Sequence, residues 1–515
     1  MDEELKSSIE KLKRKREAAL LGGGKVRIRK QHESGRLTAR ERIERLLDPG
    51  SFIEMNMLAC LLEDSKRELF GDGVVVGYGK INGRRVSIFS QDFTVKAGTT
   101  GDIHRGKMTT IIDKAIRTGI PIIGLWDSTG GRLEQSNAPH SCARSSFFRR
   151  FTEASGVIPQ ISAILGPAAG NAGYGVALND FVFMVDGIGQ TFATGPLAVK
   201  EVMGEETTME GLGGAKVHCQ LSGLADLRVK TEDECFAKIR TLLTYLPSNN
   251  NEDPPRVPTG DDRQRLVDQL SEIVPSDSRR VYDMRRVIPL LLDDGEFFEL
   301  KPEFAKNIIT GFGRLDGYSV GIVASQPLYM GGALTVDASN KEARFIRFCD
   351  AFNIPLIFLT DTPGYLPGSH QEHGGILRHG AKVLYAIAES VVPKIAVLIR
   401  KAYGGAKPAM GIDKDIGVDH IYAWPIAESA VMGAEAIVKV IFRKEIAQAE
   451  NPEEFTQKKV AEFKENADPY PMAYGELVDD IIEPRETRAR LIVTLEALYG
   501  KRESKPTKRH GNIPL

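Results

Sequence analysis

Leu5, Ile9, Leu12 and Leu20 recur at the spacing of one helix face, which predicts a helix over residues 2–21. A similar three-to-four spacing in LTARERIERLLD (37–48) predicts a second helix, stopped by Pro49-Gly50. The pattern then changes. In GDGVVVGYGKINGRRVSIFSQD (71–92) two strand-like runs flank Asn82-Gly83, which predicts a hairpin whose second strand is buried. A helix predicted over 108–118 leads into TGIPIIGLWDSTG (118–130), an apolar run of strand length closed by a glycine turn. That stretch is written twice. At 352–364 the chain reads FNIPLIFLTDTPG, and Ile120, Pro121, Ile123, Leu125, Asp127 and Gly130 match Ile354, Pro355, Ile357, Leu359, Asp361 and Gly364. The same register aligns GYGKING (77–83) with GFGRLDG (311–317). It also aligns VIPQISAILGPAAGNA (157–172) with VVPKIAVLIRKAYGGA (391–406). A repeat this long is no solenoid unit; it predicts two domains of one fold.

NNNEDPPRVPTGDD (249–262) carries no apolar pattern and reads as the linker, giving domains at 1–250 and 251–515. The second copy runs to about residue 450, with 429–449 predicted helical and NPEEFTQKKVAEFKE continuing as a charged helix. KRESKPTKRHGNIPL, from Lys501, is mostly polar and is expected to order only against a partner.

Each copy places two strand-to-helix turns close together in sequence pattern: 128–131 and 166–173 in the first, 362–368 and 402–406 in the second. The first N–H groups of a helix have no partner inside it, and glycine lets a ligand approach closely. Two such turns meeting in space make a set of convergent donors, an oxyanion hole. Other chemistry is thinly represented. Gly101, Gly106 and Lys107 have phosphate-loop spacing, but Met108 stands where a Ser or Thr must ligate Mg²⁺ and Ile103, His104 and Arg105 fill the loop. No G-x-S-x-G or H-E-x-x-H occurs. His370, His373 and His379 cluster at a spacing that suits no standard zinc site, so no metal is expected. Asp127 and Asp361 sit at strand ends, where hydrogen-bonding the turn is the expected task rather than acid–base work.

Length alone would allow three or four domains; the duplication reduces this to two of roughly 230 residues. A net charge of −1 gives no electrostatic reason to bind nucleic acid or an anionic membrane. Five cysteines, Cys60, Cys142, Cys219, Cys235 and Cys349, form no CxxC pair, which points to reduced thiols in a cytoplasmic protein. The charged N-terminus is no secretory signal, and no apolar run approaches the ~20 residues of a membrane span. The basic run KLKRKR (11–16) reads first as a solvated helix face. Its alternative use is to hold, with Arg27, Arg29 and Lys30, the phosphates of an anionic ligand.

SQDFTVKAGTTGDIHRGKM (90–108), SGVIPQISAILGPAAG (155–170), DTPGYLPGSHQEHGGILRHGAK (361–382), KAYGGA (401–406), YAWPIAESAVMGAE (422–435) and the terminal RHGNIPL are together specific. Over nearly its whole length the chain resembles the carboxyltransferase subunit of biotin-dependent acyl-CoA carboxylases. The likeness is greatest to propionyl-CoA carboxylase β-type chains and the related decarboxylase and transcarboxylase subunits.

The resemblance implies an α/β fold of two tandem crotonase (ClpP/crotonase-like) domains with a duplicated ββα superhelical core. It implies transfer of a carboxyl group between carboxybiotin and the α-carbon of a short-chain acyl-CoA, or the same half-reaction run in reverse. By this likeness Gly130, Gly131, Gly170, Asn171 and Ala172 form the hole for the acyl-CoA enolate. Gly364, Tyr365, Gly404, Gly405 and Ala406 form the hole for biotin, and Ala97, Gly98 and Thr99 bind CoA. The implied partners are a biotin carboxyl carrier protein and a biotin carboxylase subunit, or a membrane decarboxylase subunit, with the chain itself in a homo-hexamer. The sequence departs from the family at STGGRLEQ (128–135), at Asn171, and at Lys407 and Pro408, where a Tyr and a variable acyl-pocket residue are usual. A cation at Lys407 suits an acyl tail with a polar group of its own. Two rival functions remain at this level: a biotin-independent crotonase-type enzyme, and a non-catalytic assembly subunit.

Overall fold

The computed structural model describes residues 2–62, 68–132, 134 and 147–514. The chain divides into two compact units, Met1–Glu252 and Asp253–Leu515. The first is built on strands β1 (Ile53–Met55), β2 (Val74–Ile81), β3 (Arg84–Gln91), β4 (Ile122–Ser128), β5 (Gln160–Ala169), β6 (Phe181–Val185), β7 (Gln190–Phe192) and β8 (Leu227–Val229). They form one sheet in the order β1-β2-β3-β4-β5-β6-β8, with β7 added on β5. The second unit repeats this with β9 (Phe298–Leu300), β10 (Ile308–Leu315), β11 (Tyr318–Ser325), β12 (Leu356–Thr362), β13 (Lys394–Tyr403), β14 (His420–Ala423), β15 (Glu428–Ala430) and β16 (Asp480–Ile481). Its order is β9-β10-β11-β12-β13-β14-β16, with β15 on β13. This is the duplicated α/β fold the sequence predicted.

The repetition extends to details that physics makes costly. Both units open with an antiparallel edge and become parallel from the third strand. The hairpins turn at Asn82-Gly83 and Asp316-Gly317, all four with φ between 50° and 78°, the left-handed pair that a two-residue turn needs. Asp48 accepts from the N–H groups of the first turn, and Asp293 does the same for the second. The β4–β5 register slips between Trp126 and Ser128, and β12–β13 slips at the matching Thr360 and Thr362. Every residue of β4 and β12 is buried, as expected of central parallel strands covered on both faces. Lys107 and Lys341 occupy equivalent places, and each spends its buried amine on backbone carbonyls, those of Gly71 and Val74 or of Lys301, Phe304 and Ile308.

Several expectations are corrected. The helix after β3 begins at Asp102, six residues before the predicted start, and ends at Thr118 with left-handed Gly119 as its cap. Ile103, His104 and Arg105 are therefore helical, and the glycine spacing there is no phosphate loop. Residues 428–430 are strand β15, and helix resumes only at Ala434–Ile441 and Arg443–Gln448. The N-terminal helix is Glu3–Leu20, but Leu5, Leu12 and Leu20 stay exposed, so its apolar stripe is not packed into this unit. The described residues 501–514 contain no helix or strand, yet Lys501 pairs with Asp419 at 2.8 Å and Lys508 with Glu389, so the stretch is tied to its own unit. Cys142, Leu133 and Gln135 lie outside the described residues. Among the described residues no helix is long and apolar enough to cross a membrane.

Candidate active site

Each unit brings two strand-end turns side by side. In the first, β4 ends at Ser128 and β5 at Ala169, and β5 passes through Gly170 into the helix Asn171–Ala177. Gly166 is therefore inside the strand, not in the turn as predicted. In the second unit β12 ends at Thr362, and β13 ends at Tyr403 before the short helix Ala406–Ala409. The turns adjoin: a Cβ on Gly130 would lie 3.1 Å from the carbonyl of Ala169, and one on Gly364 3.8 Å from that of Tyr403. Gly130, Gly170, Gly364 and Gly404 have φ of 108°, 59°, 125° and 58°, which glycine alone adopts without strain.

These four glycines bend the chain but are not its free donors. The Gly130 N–H donates to Ser128 Oγ and the Gly170 N–H to the Phe192 carbonyl. Gly364 and Gly404 likewise donate to Thr362 Oγ1 and to the Ala430 carbonyl. At these turns the N–H groups without a partner among the described residues are those of Gly131, Asn171, Ala172 and Gly173, and in the second unit those of Tyr365, Gly405 and Ala406. Gly131, Asn171 and Ala172 match Tyr365, Gly405 and Ala406 position for position, while Lys407, which matches Gly173, donates its N–H to the Gly404 carbonyl. Ala172 and Ala406 are 1 % and 0 % exposed, and a buried N–H left unbonded is rare because it costs free energy. Asn171 is exposed where the second unit has Gly405, so this departure from the family pattern adds a side chain facing solvent and leaves the backbone donors in place.

Asp127 and Asp361 do not hydrogen-bond the turns. Both are fully buried and hold arginine. Asp127 accepts from Arg36 and Arg42 at 2.8 Å each and from Gln31 at 3.0 Å. Arg42 goes on to Glu232 and the Leu165 carbonyl. Asp361 accepts from Arg400 Nε at 2.8 Å, and Arg400 Nη1 donates to the carbonyls of Pro275, Asp277 and Arg280. Sequence reasoning missed these arginines. The repeat register held a signal, since it sets Gly166 against Arg400. A Cβ at Gly166 would stand 2.0 Å from Asp127 Oδ1, so the missing side chain makes room for arginines from another element.

Lys96, Ala97 and Gly98 form a left-handed turn, φ 51°, 52° and 65°, that lies against the end of β4. The Ala97 carbonyl accepts the Thr129 N–H, and a Cβ on Gly98 would fall 2.2 Å from the Asp127 carbonyl. Thr99 is braced by Arg132, which also pairs with buried Asp72 at 2.7 Å. Arg132 of the atypical STGGR turn is thus a structural brace. Beside this turn is a cleft of ≈ 350 Å³ lined by Arg27, Lys30, Arg36, Lys96, Phe93 and Ala97 among others. Arg27 and Lys30 were expected there; Arg36 and Lys96 were not. The basic run is elsewhere, with Lys15 on Glu68, and Arg29 pairs with Glu33. The second unit repeats the turn with Met330 and Gly331 in place of Lys96 and Ala97, without the cation. Lys407 and Pro408 stand on the helix Ala406–Ala409, and among the described residues no acid pairs with Lys407. His370 and His373 are exposed, and His379 bonds Asn340 at 2.8 Å.

Two crotonase-like halves each present partnerless N–H groups at paired strand ends, an arrangement able to stabilise negative charge on oxygen with the backbone. The chain belongs to the carboxyl transferase family: the carboxyl transferase domain matches residues 30–513. It is 49 % identical over 518 residues to the propionyl-CoA carboxylase carboxyltransferase subunit of Haloferax mediterranei, covering 99 % of this chain and 100 % of that one. It is 48 % identical to the methylmalonyl-CoA decarboxylase subunit alpha of Veillonella parvula, with 99 % of each covered. The crystal structure of transcarboxylase 12S, a hexamer with methylmalonyl-CoA and methylmalonic acid bound, superimposes with a TM-score of 0.93 at 42 % identity over 98 % of both chains. The chain is a carboxyltransferase.

Proposed function

We propose that this carboxyltransferase moves a carboxyl group between biotin on a separate carrier protein and the α-carbon of a short-chain acyl-CoA of the propionyl/methylmalonyl type. The observation that carries the reading is the pair of buried, unbonded N–H groups at Ala172 and Ala406, one per unit. Removing the α-proton of a thioester puts charge on the thioester oxygen, and Gly131, Asn171 and Ala172 supply donors for it. Biotin, when bound, supplies the carboxyl group and a ureido nitrogen that takes up the α-proton. Tyr365, Gly405 and Ala406 supply donors for its carbonyl oxygen. Preorganised donors of this kind are worth several kcal/mol each, and with the proton going to the cofactor no protein base is needed.

The assignment of acyl-CoA to the first unit is supported by the basic cleft beside Ala97, Gly98 and Thr99, a suitable seat for CoA phosphates that has no cation at the matching turn of the second unit. Lys407 and Pro408 border the acyl pocket in this reading. The relatives, named for propionyl- and methylmalonyl-CoA, favour those acyl groups over a longer functionalised tail. Leu197 and Val431, at matching positions of the two copies, are 83 % and 75 % exposed. Such apolar exposure supports burial in an assembly, and a homo-hexamer working in the cytoplasm is the form proposed, its active site completed between chains. The biotin-bearing partner, a carboxylase component or a membrane decarboxylase subunit, sets the direction of the reaction.

Gly405→Val tests the biotin assignment. At φ −67° a side chain is sterically allowed there, meeting only the Tyr365 ring at 3.7 Å. The substitution is expected to lower transfer to free biotin by at least about 100-fold while acyl-CoA affinity by calorimetry stays within about threefold. Lost CoA affinity with transfer intact would reverse the two assignments.

A further inference from the structure

Three successive glycines, Gly22, Gly23 and Gly24, join the helix Glu3–Leu20 to the helix Lys25–Glu33. They lie on the turn 92–95, which leads into Ala97, Gly98 and Thr99. The Gly23 N–H donates to Thr94 Oγ1 at 3.0 Å, and that hydroxyl in turn donates to the Asp92 carboxylate. The two backbones touch: a Cβ on Gly23 would fall 1.9 Å from the Thr94 carbonyl oxygen, and one on Gly22 2.6 Å from Asp92 Oδ2. The helix that follows is held at both ends. Near its start Arg27 Nη1 donates to the Thr94 carbonyl at 3.2 Å, and near its end Gln31 reaches Asp127 at 3.0 Å. Between these anchors Arg27 and Lys30 line the basic cleft, and among the described residues no acid pairs with either.

The second unit makes the same turn without this cover. The repeat register sets Leu328 and Tyr329 against Thr94 and Val95. Leu328 and Tyr329 are 46 % and 37 % exposed, whereas Thr94 and Val95 are 4 % and 2 % exposed. Covering the more apolar turn would gain more from burial, yet it is the other one that is covered. Folding the turn therefore does not require the cover, and a ligand of the first turn accounts for it.

We propose that Gly23 is a positioning residue for acyl-CoA, latching residues 22–33 onto Thr94 so that Arg27 and Lys30 meet the phosphates at the nucleotide end of the substrate. The inference rests on the assignment of acyl-CoA to the first unit. Gly23 touches no reacting atom. Its effect falls on the preference for a CoA ester over the same acyl group on pantetheine, which lacks the nucleotide.

The test uses the full-length chain in its native assembly, with methylmalonyl-CoA or methylmalonyl-pantetheine as carboxyl donor and free biotin as acceptor. Gly23→Ala drives the segment off Thr94 and is expected to raise KM for the CoA ester about tenfold, the scale of a lost charge-assisted contact. KM for the pantetheine ester and for biotin should not change, and the rise should shrink at high salt, where phosphate contacts are screened. Thr94→Val, which deletes the acceptor, is expected to move the same way, while Thr94→Ser, which keeps it, stays within about threefold of wild type. In a chain already carrying Arg27→Gln and Lys30→Gln, Gly23→Ala is expected to add less than about twofold, because the latch acts through those cations. Circular dichroism and sedimentation confirm folding and assembly, and should Gly23→Ala fail there, the two Thr94 variants carry the test. An unchanged KM for the CoA ester in the Ala and Val variants, or equal rises for the CoA and pantetheine esters, would overturn the positioning role. A rise confined to the biotin KM would instead overturn the assignment of acyl-CoA to this unit.

Discussion

The two halves of this chain hold the same backbone and support it with different side chains. In both, a strand buried along its length ends in a left-handed glycine turn, and in both a buried aspartate under that turn is bound by arginine. The first half brings Arg36 and Arg42 from beyond the sheet and leaves Gly166 bare to admit them. The second half places Arg400 on the neighbouring strand itself and ties it to three carbonyls of residues 275–280. The same contrast recurs one layer out, with Met108 in the first half and Glu342 in the second. What the duplication preserves is the position of N–H groups; the side chains that fix it are free to change as long as every buried charge is met.

That comparison can be broken at its supports. The largest effect is expected from Arg400→Ala, which leaves Asp361 buried without its cation and three carbonyls without their donor. A loss of about 3–5 kcal/mol is expected, read as the unfolding midpoint in denaturant; a shift under 1 kcal/mol would mean that Lys401, 4.0 Å away, suffices. Gly166→Ala should follow, at about 1–3 kcal/mol of overpacking, because the added carbon meets the Asp127 carboxylate. Alanine at 166 tolerated at no cost would show that the arginines of the first half do not depend on that gap. The smallest effect sharpens the contrast in charge. Lys96→Met writes the second half's residue into the first, and KM for acyl-CoA should rise up to about tenfold at low salt and less at high salt, since a cation only half-buried is partly screened. The KM of an acyl-pantetheine lacking the nucleotide should not move.

Much of this was legible in the chain. The repeat could be read because its blocks lie where the fold allows least variation, in strands buried on both faces and in turns that only glycine can make. The donors could be located to within a residue for the same reason. Which N–H groups are free could not be read: Gly130 and Gly170 look like donors until Ser128 and the Phe192 carbonyl are seen to occupy them. Arg42 reaches Asp127 across 85 residues, and no local pattern connects a helix interior to a strand end so far away. The helix from Asp102 was missed in its first turn because Gly101, Gly106 and Lys107 imitate a phosphate loop. Glu342 lies inside the helix Val336–Ala351, and only its mismatch with Met108 in the repeat register marks it.

The central claim is that catalysis here resides in backbone N–H groups, and the most direct measurement removes one without touching a side chain. Replacing alanine by its α-hydroxy acid converts the amide at position 172 or 406 into an ester, which deletes the N–H and keeps the methyl group. At Ala172 the rate of solvent-deuterium exchange into the α-carbon of the acyl-CoA is expected to fall about 10²–10³-fold. At Ala406 a fall of the same size is expected in carboxyl transfer to biotin, with acyl-CoA affinity by calorimetry within about threefold of the natural chain. Esters at both positions that leave exchange and transfer within about threefold of the natural chain would contradict the account.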